Sequence, residues 1–575
     1  MTSKILHVER SLAPADLLVD EATAEELRNA SLSFPSLTLT KRQLCDLELL
    51  LNGGFSPLRG FMDRAAYERV IEDARLPDGS LWPIPVVLDI DAVFADQLAT
   101  GQTIALRDGE GFMPAVLTVT DVWEADKTRE AQAIYGTASR SHPGVRYLLE
   151  RVKSHYVSGS LRGIQLPAHH EFENLWETPR ELRHRFRKMG WRQVIAFHTT
   201  DVLHKLHRQL IIEAAKQHQA RVLIHPAVGE TKPGDLHHYA RVHCYQAMQR
   251  HLPHEMTALS LLPLAMRMAG PREALWHALV NLNFGCTHFA VGPHHASPPA
   301  QGGDRLYGKY QAQEYAAGFG DELGIEIVAL PEYRYVPAKR NFLPDAQIEA
   351  EDLEGVSISP AKLKDMLVQG QDVPRWFSYP EVLEKLARVY PPRSRQGFTL
   401  FFTGLSGSGK STLANIVFAK LIEAGGRPVS LLDGDIVRHN LSSELGFSKS
   451  HRDINIRRIG FVASEITKNG GIAICAPIAP YRETRRAVRE LIEQHGAFIE
   501  IHVSTSLEVC EARDRKGLYA KARKGVIPEF TGISDPYEAP ENPELRLDTG
   551  ELAPAEAVQD ILLYLFKEGF LDEND

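Results

Sequence analysis

The C-terminal third carries the clearest alternation of apolar runs and helical stripes. Fully apolar or β-branched runs at Phe398–Thr403, Val429–Asp433, Ile472–Ala476 and Phe498–Val503 predict buried parallel strands. After the first, Leu413, Ile416, Val417 and Leu421 share one helix face, which predicts a helix covering the sheet. A second alternation begins near Trp191. Val194–His198 and Arg221–His225 read as strands, Asp201–Lys216 as a helix, and Glu255–Leu262, Arg272–Asn281, His288–Gly292 and Ile325–Leu330 continue the pattern. The first 165 or so residues differ. Ile84–Ile90, Thr103–Arg107 and Phe112–Thr120 read as strands, with a turn at Asp108–Gly111, which predicts an α+β region with a mostly β core. Ser359–Gly370 predicts a short helix closed by glycine, and Trp376–Tyr390 another apolar-periodic stretch. PPRSRQG at 391–397 reads as a linker.

A chain of 575 residues exceeds a single core, so this is an α/β multidomain protein. A net charge of −9 argues against a broad nucleic-acid footprint, and anionic substrates must then be met by local basic clusters. The five cysteines form no CxxC pair, so neither a cysteine zinc site nor a disulfide framework is suggested. No apolar run is long enough for a membrane span, and the first residues lack a signal pattern. A cytoplasmic location fits these readings.

The chemistry concentrates after residue 397. Gly404-Leu405-Ser406-Gly407-Ser408-Gly409-Lys410-Ser411-Thr412 follows a strand and opens a helix, as a phosphate-binding loop does. Its glycines let backbone N–H groups face phosphate oxygens, Lys410 reaches the β/γ-phosphates, and Ser411 holds Mg²⁺. Asp433 ends a predicted strand, where a carboxylate can serve the metal shell or orient an acceptor hydroxyl. An Asx turn is the competing explanation. Arg438, Arg452, Arg457 and Arg458 offer grips for phosphate or sulfate, or a solvated basic face. The charged stretch Arg513–Lys524 suits a lid closing over phosphates.

Together with DGDIVRHNLSSELGFS at Asp433–Ser448, NIRRIG at Asn455–Gly460, PYRETR at Pro480–Arg485, RKGLYAKAR at Arg515–Arg523 and FTGISDPYE at Phe530–Glu538, this region resembles adenylyl-sulfate kinase (APS kinase). The resemblance implies ATP and Mg²⁺ as cofactors and adenylyl sulfate as substrate, with 3′-phosphoadenylyl sulfate as product. It implies that Asp435, Arg438, Phe447, Arg452, Asn455, Ile456 and Arg457 hold the substrate, with Phe447 and Phe530 as stacking partners. Lys521 would assist from the lid, and Lys410, Asp433 and Lys521 would be the catalytic groups. His451 and Ile454 replace acidic residues common in the family. Ala479 stands where some relatives carry a phosphorylatable serine, so direct in-line transfer is expected.

The preceding residues resemble ATP sulfurylase, on GGFSPLRGFM at Gly53–Met62, HPAVGETKPGDL at His225–Leu236, AGPREALWHALV at Ala269–Val280 and FGCTHFAVG at Phe284–Gly292. This resemblance implies a β-rich PUA-like domain at 1–165, a nucleotidyltransferase-type α/β domain at 166–330 and a small subdomain at 331–390. The linker is 391–397 and the P-loop kinase domain 398–575. The family's active motifs are altered. Where it has Gln-Thr-Arg-Asn-Pro and two histidines, this chain has His198-Thr199-Thr200-Asp201-Val202, then His204 and His207. Where it has Gly-Arg-Asp-His-Ala-Gly, this chain has Gly292-Pro293-His294-His295-Ala296-Ser297. Asn281, Ser359-Pro360-Ala361 and Lys364 also depart from it. Loss of guanidinium groups and addition of Asp201 oppose binding of sulfate and triphosphate. The expectation is therefore an APS kinase fused to an inactive sulfurylase-like scaffold. A fully bifunctional enzyme and a nucleotide-sensing scaffold are the alternatives. The histidines also allow a metal or hydrolase site. A homo-oligomer and a link to a separate ATP sulfurylase are expected, with no nucleic-acid or membrane partner.

Overall fold

The computed structural model describes residues 16–230, 236–298, 306–446, 448–514 and 517–571. It is a multidomain α/β protein that divides into two compact units. One runs through Ile358 and includes Pro374–Lys385. The other takes Ser359–Val373 and the chain from Leu386 onward. No described helix is long and apolar enough to cross a membrane.

The first unit holds two five-stranded sheets. The PUA-like sheet has the order Ser36–Thr38, Thr103–Arg107, Ala115–Glu124, His155–Gly163, Leu88–Ile90. Only Leu88–Ile90 of the expected Ile84–Ile90 strand pairs. Pro83 and Pro85 lack the N–H a ladder needs, which accounts for the shorter strand. The third expected strand, Phe112–Thr120, begins at Ala115, because Asp108 Oδ1 accepts from the amides of Glu110 and Phe112 and holds those residues in the turn. His155–Gly163 was not visible in the sequence, since its glycines and serines dilute the apolar pattern.

The nucleotidyltransferase-type sheet is wholly parallel, in the order Glu326–Ala329, His288–Val291, Val194–Phe197, Arg221–Ile224, Thr257–Leu259. Val194–Phe197 and His288–Val291 are buried throughout, as a sheet covered on both faces requires. Chain order reverses between these two neighbours, so the crevice beyond their carboxyl ends is the place for a ligand. His198 follows the first strand, and Gly292–His295 follow the second.

The kinase unit repeats this logic. Its five parallel strands run Val429–Leu432, Ile472–Cys475, Phe398–Thr403, Ala497–Val503, Leu545–Leu547. All six residues of the central strand are buried. Lys410–Ala424 covers it with Leu413, Val417 and Leu421 fully buried and Ile416 packed at the edge. Each fully buried side chain contributes about 1.5–3 kcal/mol. Pro554–Lys567 packs against the same helix through Ala557, Val558, Ile561 and Leu565.

Candidate functional sites

At the end of strand Phe398–Thr403, Gly404 turns with φ +148°, and a Cβ there would lie 2.5 Å from the Val503 carbonyl oxygen. Only glycine allows that approach. Gly407 and Gly409 also have positive φ, and Ser406 lies between these turns. Lys410 is buried, and its Nζ donates to the Leu405 carbonyl at 2.7 Å, within the loop. Ser411 and Thr412 are exposed in the first helical turn. The loop is held from outside. Thr505 and Thr549 both donate to the Ser408 carbonyl, at 3.2 and 2.8 Å. The helix Leu518–Arg523 reaches the loop through Tyr519, whose hydroxyl donates to the Ser406 carbonyl at 2.8 Å. Lys521 is exposed on that helix. An open cleft of about 500 Å³ lies beside the loop, lined by Leu405 and Gly532–Tyr537.

The other expected substrate residues fall into two groups. Asn455 and Ile456 are buried on helix Lys449–Lys468, and Asn455 Oδ1 has no hydrogen-bond partner. A buried, unpartnered carbonyl oxygen costs about 1–3 kcal/mol unless a ligand satisfies it. Arg452 on the same helix donates to Thr531 Oγ1 at 2.7 Å and pairs with Asp535 at 2.9 Å. The Tyr481 hydroxyl donates to the same carboxylate at 2.6 Å. Thr531, Asp535 and Tyr481 thus belong with the site, although the sequence reading gave them no role. Arg438 donates to the carbonyls of Leu445 and Gly446, at 3.0 and 2.9 Å, and so shapes the loop before the helix. Arg457 is exposed, and Phe530 is half-buried edge-on to Tyr519. Asp433 lies between the strand Val429–Leu432 and the helix Gly434–Leu441. Phe447, Arg515, Lys516 and the side chain of Asp435 lie outside what the structure describes.

Two departures from the family pattern have structural work. His451 Nδ1 accepts from the Gly446 amide at 2.9 Å, an acceptor role that a carboxylate also fills. Ala479 is buried with φ +46°, and Arg485 donates to its carbonyl while pairing with buried Glu500 at 2.8 Å.

The crevice of the first unit is lined by histidines. His198 is buried against His277, with ring centroids 4.1 Å apart, and neither His198 ring nitrogen has a hydrogen-bond partner. His277 Nδ1 and His295 Nε2 share a hydrogen bond of 3.0 Å, and His277 Nε2 faces Glu273 at 3.3 Å. Burial alone would raise the Glu273 pKa. The His277 contact and the amides of Arg267 and Ala269 outweigh it, so the carboxylate is held below its ordinary range. Burial, then the neighbouring His277 and His295, push His198 well below the imidazole range. His204 Nδ1 meets Ser378 Oγ at 2.8 Å, and His207 Nδ1 accepts from the His204 amide at 3.0 Å, which starts the helix at Lys205 rather than Asp201. His294 sits at φ +53°, its amide bound to the Lys309 carbonyl, just after Pro293.

One cation in this crevice escaped the sequence reading. Arg241, on helix His238–Gln249, is 2% exposed and donates through Nη1 to the carbonyls of Thr200 and Ala227, at 3.0 and 3.1 Å. Its Nε and Nη2 make no hydrogen bond. It sits 41 residues beyond Thr200, so no local motif links the two. The Asp201 backbone is engaged by Thr199 Oγ1 and the Tyr245 hydroxyl, and the residue is exposed. Its charge is therefore screened by water rather than buried in the crevice. Asn281 is also occupied, bonding His225 at 2.8 Å and the His277 carbonyl. Ser359 caps the helix Pro360–Val368 in the second unit, and Lys364 lies over the Tyr390 ring.

These geometries agree with the comparisons to known proteins. Residues 11–166 match the PUA-like domain, 173–389 match ATP-sulfurylase and 396–548 match adenylylsulphate kinase. A sulfate adenylyltransferase from Phaeosphaeria nodorum is 46% identical over 97% of this chain and 98% of its own length. One from Mycosarcoma maydis is 47% identical over 96% and 97%. The chain belongs to the bifunctional ATP-sulfurylase/APS-kinase family. A solved structure titled hexameric APS kinase from Thiobacillus denitrificans covers 97% of this chain at 40% identity, with a TM-score of 0.80. The family's P-loop kinase catalytic domain, an ATP-binding fold, is present here.

The expectation of a kinase fused to an inactive sulfurylase scaffold is corrected by these relatives. Proteins named sulfate adenylyltransferase match this family member along nearly its whole length, N-terminal unit included. Two observations weaken the ground for that expectation: Asp201 is exposed to solvent, and Arg241 brings a guanidinium to the Thr200 carbonyl. The sequence argument counted guanidiniums lost from local motifs and missed one supplied by a distant helix.

The buried histidines also set a pH response. Burial lowers His204 and His295 to about 3 and His225 to about 4. Between those values and the ordinary 6.5, the unfolded chain binds protons that the folded one does not. Stability therefore rises with pH and is lost as pH falls from 6.5, by up to about 1.4 kcal/mol per pH unit for each histidine. All six tryptophans precede residue 377, so tryptophan fluorescence reports the first unit. Its thermal midpoint is expected to drop clearly between pH 7.5 and pH 5, and a flat profile would contradict this burial.

Proposed function

We propose that the chain catalyses two consecutive reactions. In the first unit, a sulfate oxygen attacks the α-phosphorus of ATP, the α–β bridging bond breaks, and adenylyl sulfate and pyrophosphate form. In the kinase unit, the 3′-hydroxyl oxygen of adenylyl sulfate attacks the γ-phosphorus of a second ATP. The β–γ bridging bond breaks, ADP leaves, the hydroxyl proton is released, and 3′-phosphoadenylyl sulfate forms. The observation that carries this reading is similarity along about 97% of the chain to enzymes named sulfate adenylyltransferase, joined to a P-loop kinase domain.

In the kinase unit, Gly404–Thr412 cradle the ATP phosphates and Lys410 neutralises charge on the γ-phosphoryl group in flight. Ser411 and Asp433, both oxygen donors, would hold Mg²⁺, which would supply positive charge to the phosphates when bound. Asn455 and Arg452, with Ile456 beneath them, receive adenylyl sulfate. Asp435, Phe447, Arg457 and Phe530 complete that grip, and Lys521 arrives with the lid. Arg438 acts by fixing the loop at 445–446. In the first unit, Arg241 offers the N–H groups of Nε and Nη2 to an anion beside the neutral His198, while His204 and His207 face the nucleotide.

The domain limits given by the resemblance, at 165, 330, 390 and 397, stand as proposals. So do a cytoplasmic location and a homo-oligomer, the latter supported by the hexameric relative. With both activities in one chain, a separate sulfurylase is not required.

The test uses the full chain in two assays. With ATP, sulfate and Mg²⁺, pyrophosphate release should depend on sulfate. With ATP and adenylyl sulfate, ADP and 3′-phosphoadenylyl sulfate should form in equal amounts. Kinase turnover without sulfate-dependent pyrophosphate would overturn the first half. ATP binding without phosphorylation would overturn the second and leave a nucleotide sensor.

A further inference from the structure

The amino ends of the parallel strands in the first unit carry a cluster that neither reaction uses. His288 opens strand His288–Val291 and Glu326 opens Glu326–Ala329, and the parallel register sets these two residues side by side. His218 caps the helix Lys205–Gln217 and arrives at the same point. His218 Nδ1 lies 3.3 Å from Glu326 Oε1, and His288 Nε2 lies 3.2 Å from Glu326 Oε2. All three ligand atoms fall within 4.8 Å of one another, and among the described residues this is the one such group.

We propose that His218, His288 and Glu326 form a binding site for a divalent transition-metal ion of the zinc class. Ligands about 2.0–2.2 Å from a tetrahedral ion stand about 3.3 Å apart, which is the nitrogen–oxygen spacing here. Two imidazoles and one carboxylate suit zinc, cobalt or nickel. Magnesium and calcium prefer sites built from oxygen alone. The ring of His288 is already oriented, because its Nδ1 meets the Thr287 hydroxyl at 2.8 Å and leaves Nε2 toward the cluster. That outer contact is the kind that fixes a metal-binding histidine's tautomer. His288 is buried and His218 nearly so, while Glu326 is 59% exposed, so an ion can enter from solvent and keep water as its fourth ligand.

The site is separate from the catalytic crevice. His198 and His295 follow the carboxyl ends of their strands, whereas His288 and Glu326 stand at the amino ends. A bound ion would tie the edge strand Glu326–Ala329 to its neighbour and to the end of a helix that packs on the sheet's central strand. Its role is a structural clamp.

The experiment titrates Co²⁺ alone into the full-length protein and follows its visible ligand-field bands. Zn²⁺ competition and the tryptophan-reported thermal midpoint are measured alongside. One saturable site of micromolar affinity or tighter is expected, displaced by Zn²⁺, with a raised midpoint. Glu326→Gln and His218→Asn are expected to weaken it about 100-fold while leaving adenylyl-sulfate phosphorylation unchanged, which shows that the kinase unit is intact. Thr287→Val should weaken it about 10-fold. If wild type shows no saturable site, the cluster is only a carboxylate shared by two imidazoles, and the proposal falls. It falls equally if Glu326→Gln and His218→Asn bind Co²⁺ as wild type does.

Discussion

Replacing Lys410 by Ala should lower kcat/KM for adenylyl-sulfate phosphorylation by about 10³-fold or more, equivalent to about 4 kcal/mol of transition-state stabilisation. The ammonium is buried inside the loop and held by the Leu405 carbonyl, so water cannot replace it cheaply. Its loss removes both a charge on the transferred phosphoryl group and a tether that shapes the loop. The two effects separate in a Lys410→Arg variant, which keeps the charge but not the fit. It should recover little activity, because the planar guanidinium is bulkier than the ammonium it replaces. Sulfate-dependent pyrophosphate release should be unaffected in either variant, since that chemistry uses the other unit. Kinase turnover within 10-fold of wild type in Lys410→Ala would remove this lysine from the mechanism.

The second large effect is expected at Arg241. Arg241→Ala should reduce sulfate-dependent pyrophosphate release by about 10²-fold or more and leave the kinase assay unchanged. Part of that loss is architectural, because Arg241 also binds the carbonyls of Thr200 and Ala227. Arg241→Lys distinguishes the roles. Lysine can reach one of those carbonyls but lacks the planar fork of N–H donors, so KM for sulfate should rise while the tryptophan-reported midpoint moves little. A parallel loss of midpoint and activity in both variants would mark Arg241 as a strut rather than an anion ligand.

Much of the kinase unit was legible because its signals are local. Phe398–Thr403, the loop and Lys410 lie within 13 residues, and the apolar run, the glycines and the helix face all point to one structure. The strand Leu545–Leu547 was not, because three residues carry no readable periodicity. The hairpin of Tyr333–Val336 and Asn341–Pro344 was missed too, since four residues a strand carry little more. In the first unit the scaffold strands were visible as continuous apolar runs, yet the site was misjudged. The groups that line it lie far apart in the chain. His277 joins His295 by a hydrogen bond and faces Glu273 at 3.3 Å, and Arg241 approaches from a helix whose apolar and polar residues give no hint of what it faces. Motif reading registers what leaves a motif and is blind to what arrives from elsewhere.

The two threonines that grip Ser408 have a consequence for how the enzyme is made. Thr549 lies 141 residues after its partner. A ribosome adding about 5–20 residues per second delivers the glycine loop roughly 7–28 seconds before the side chain that locks it. The central strand likewise leaves the ribosome before either neighbour, since Ile472–Cys475 and Ala497–Val503 both follow it. For that interval the loop lacks the Thr549 hydrogen bond to the Ser408 carbonyl. That bond forms only as the last stretch of the chain emerges. The region matched to the adenylylsulphate kinase family ends at residue 548, one short of that threonine, so a fragment cut at this border would lose the Thr549 half of the grip on Ser408.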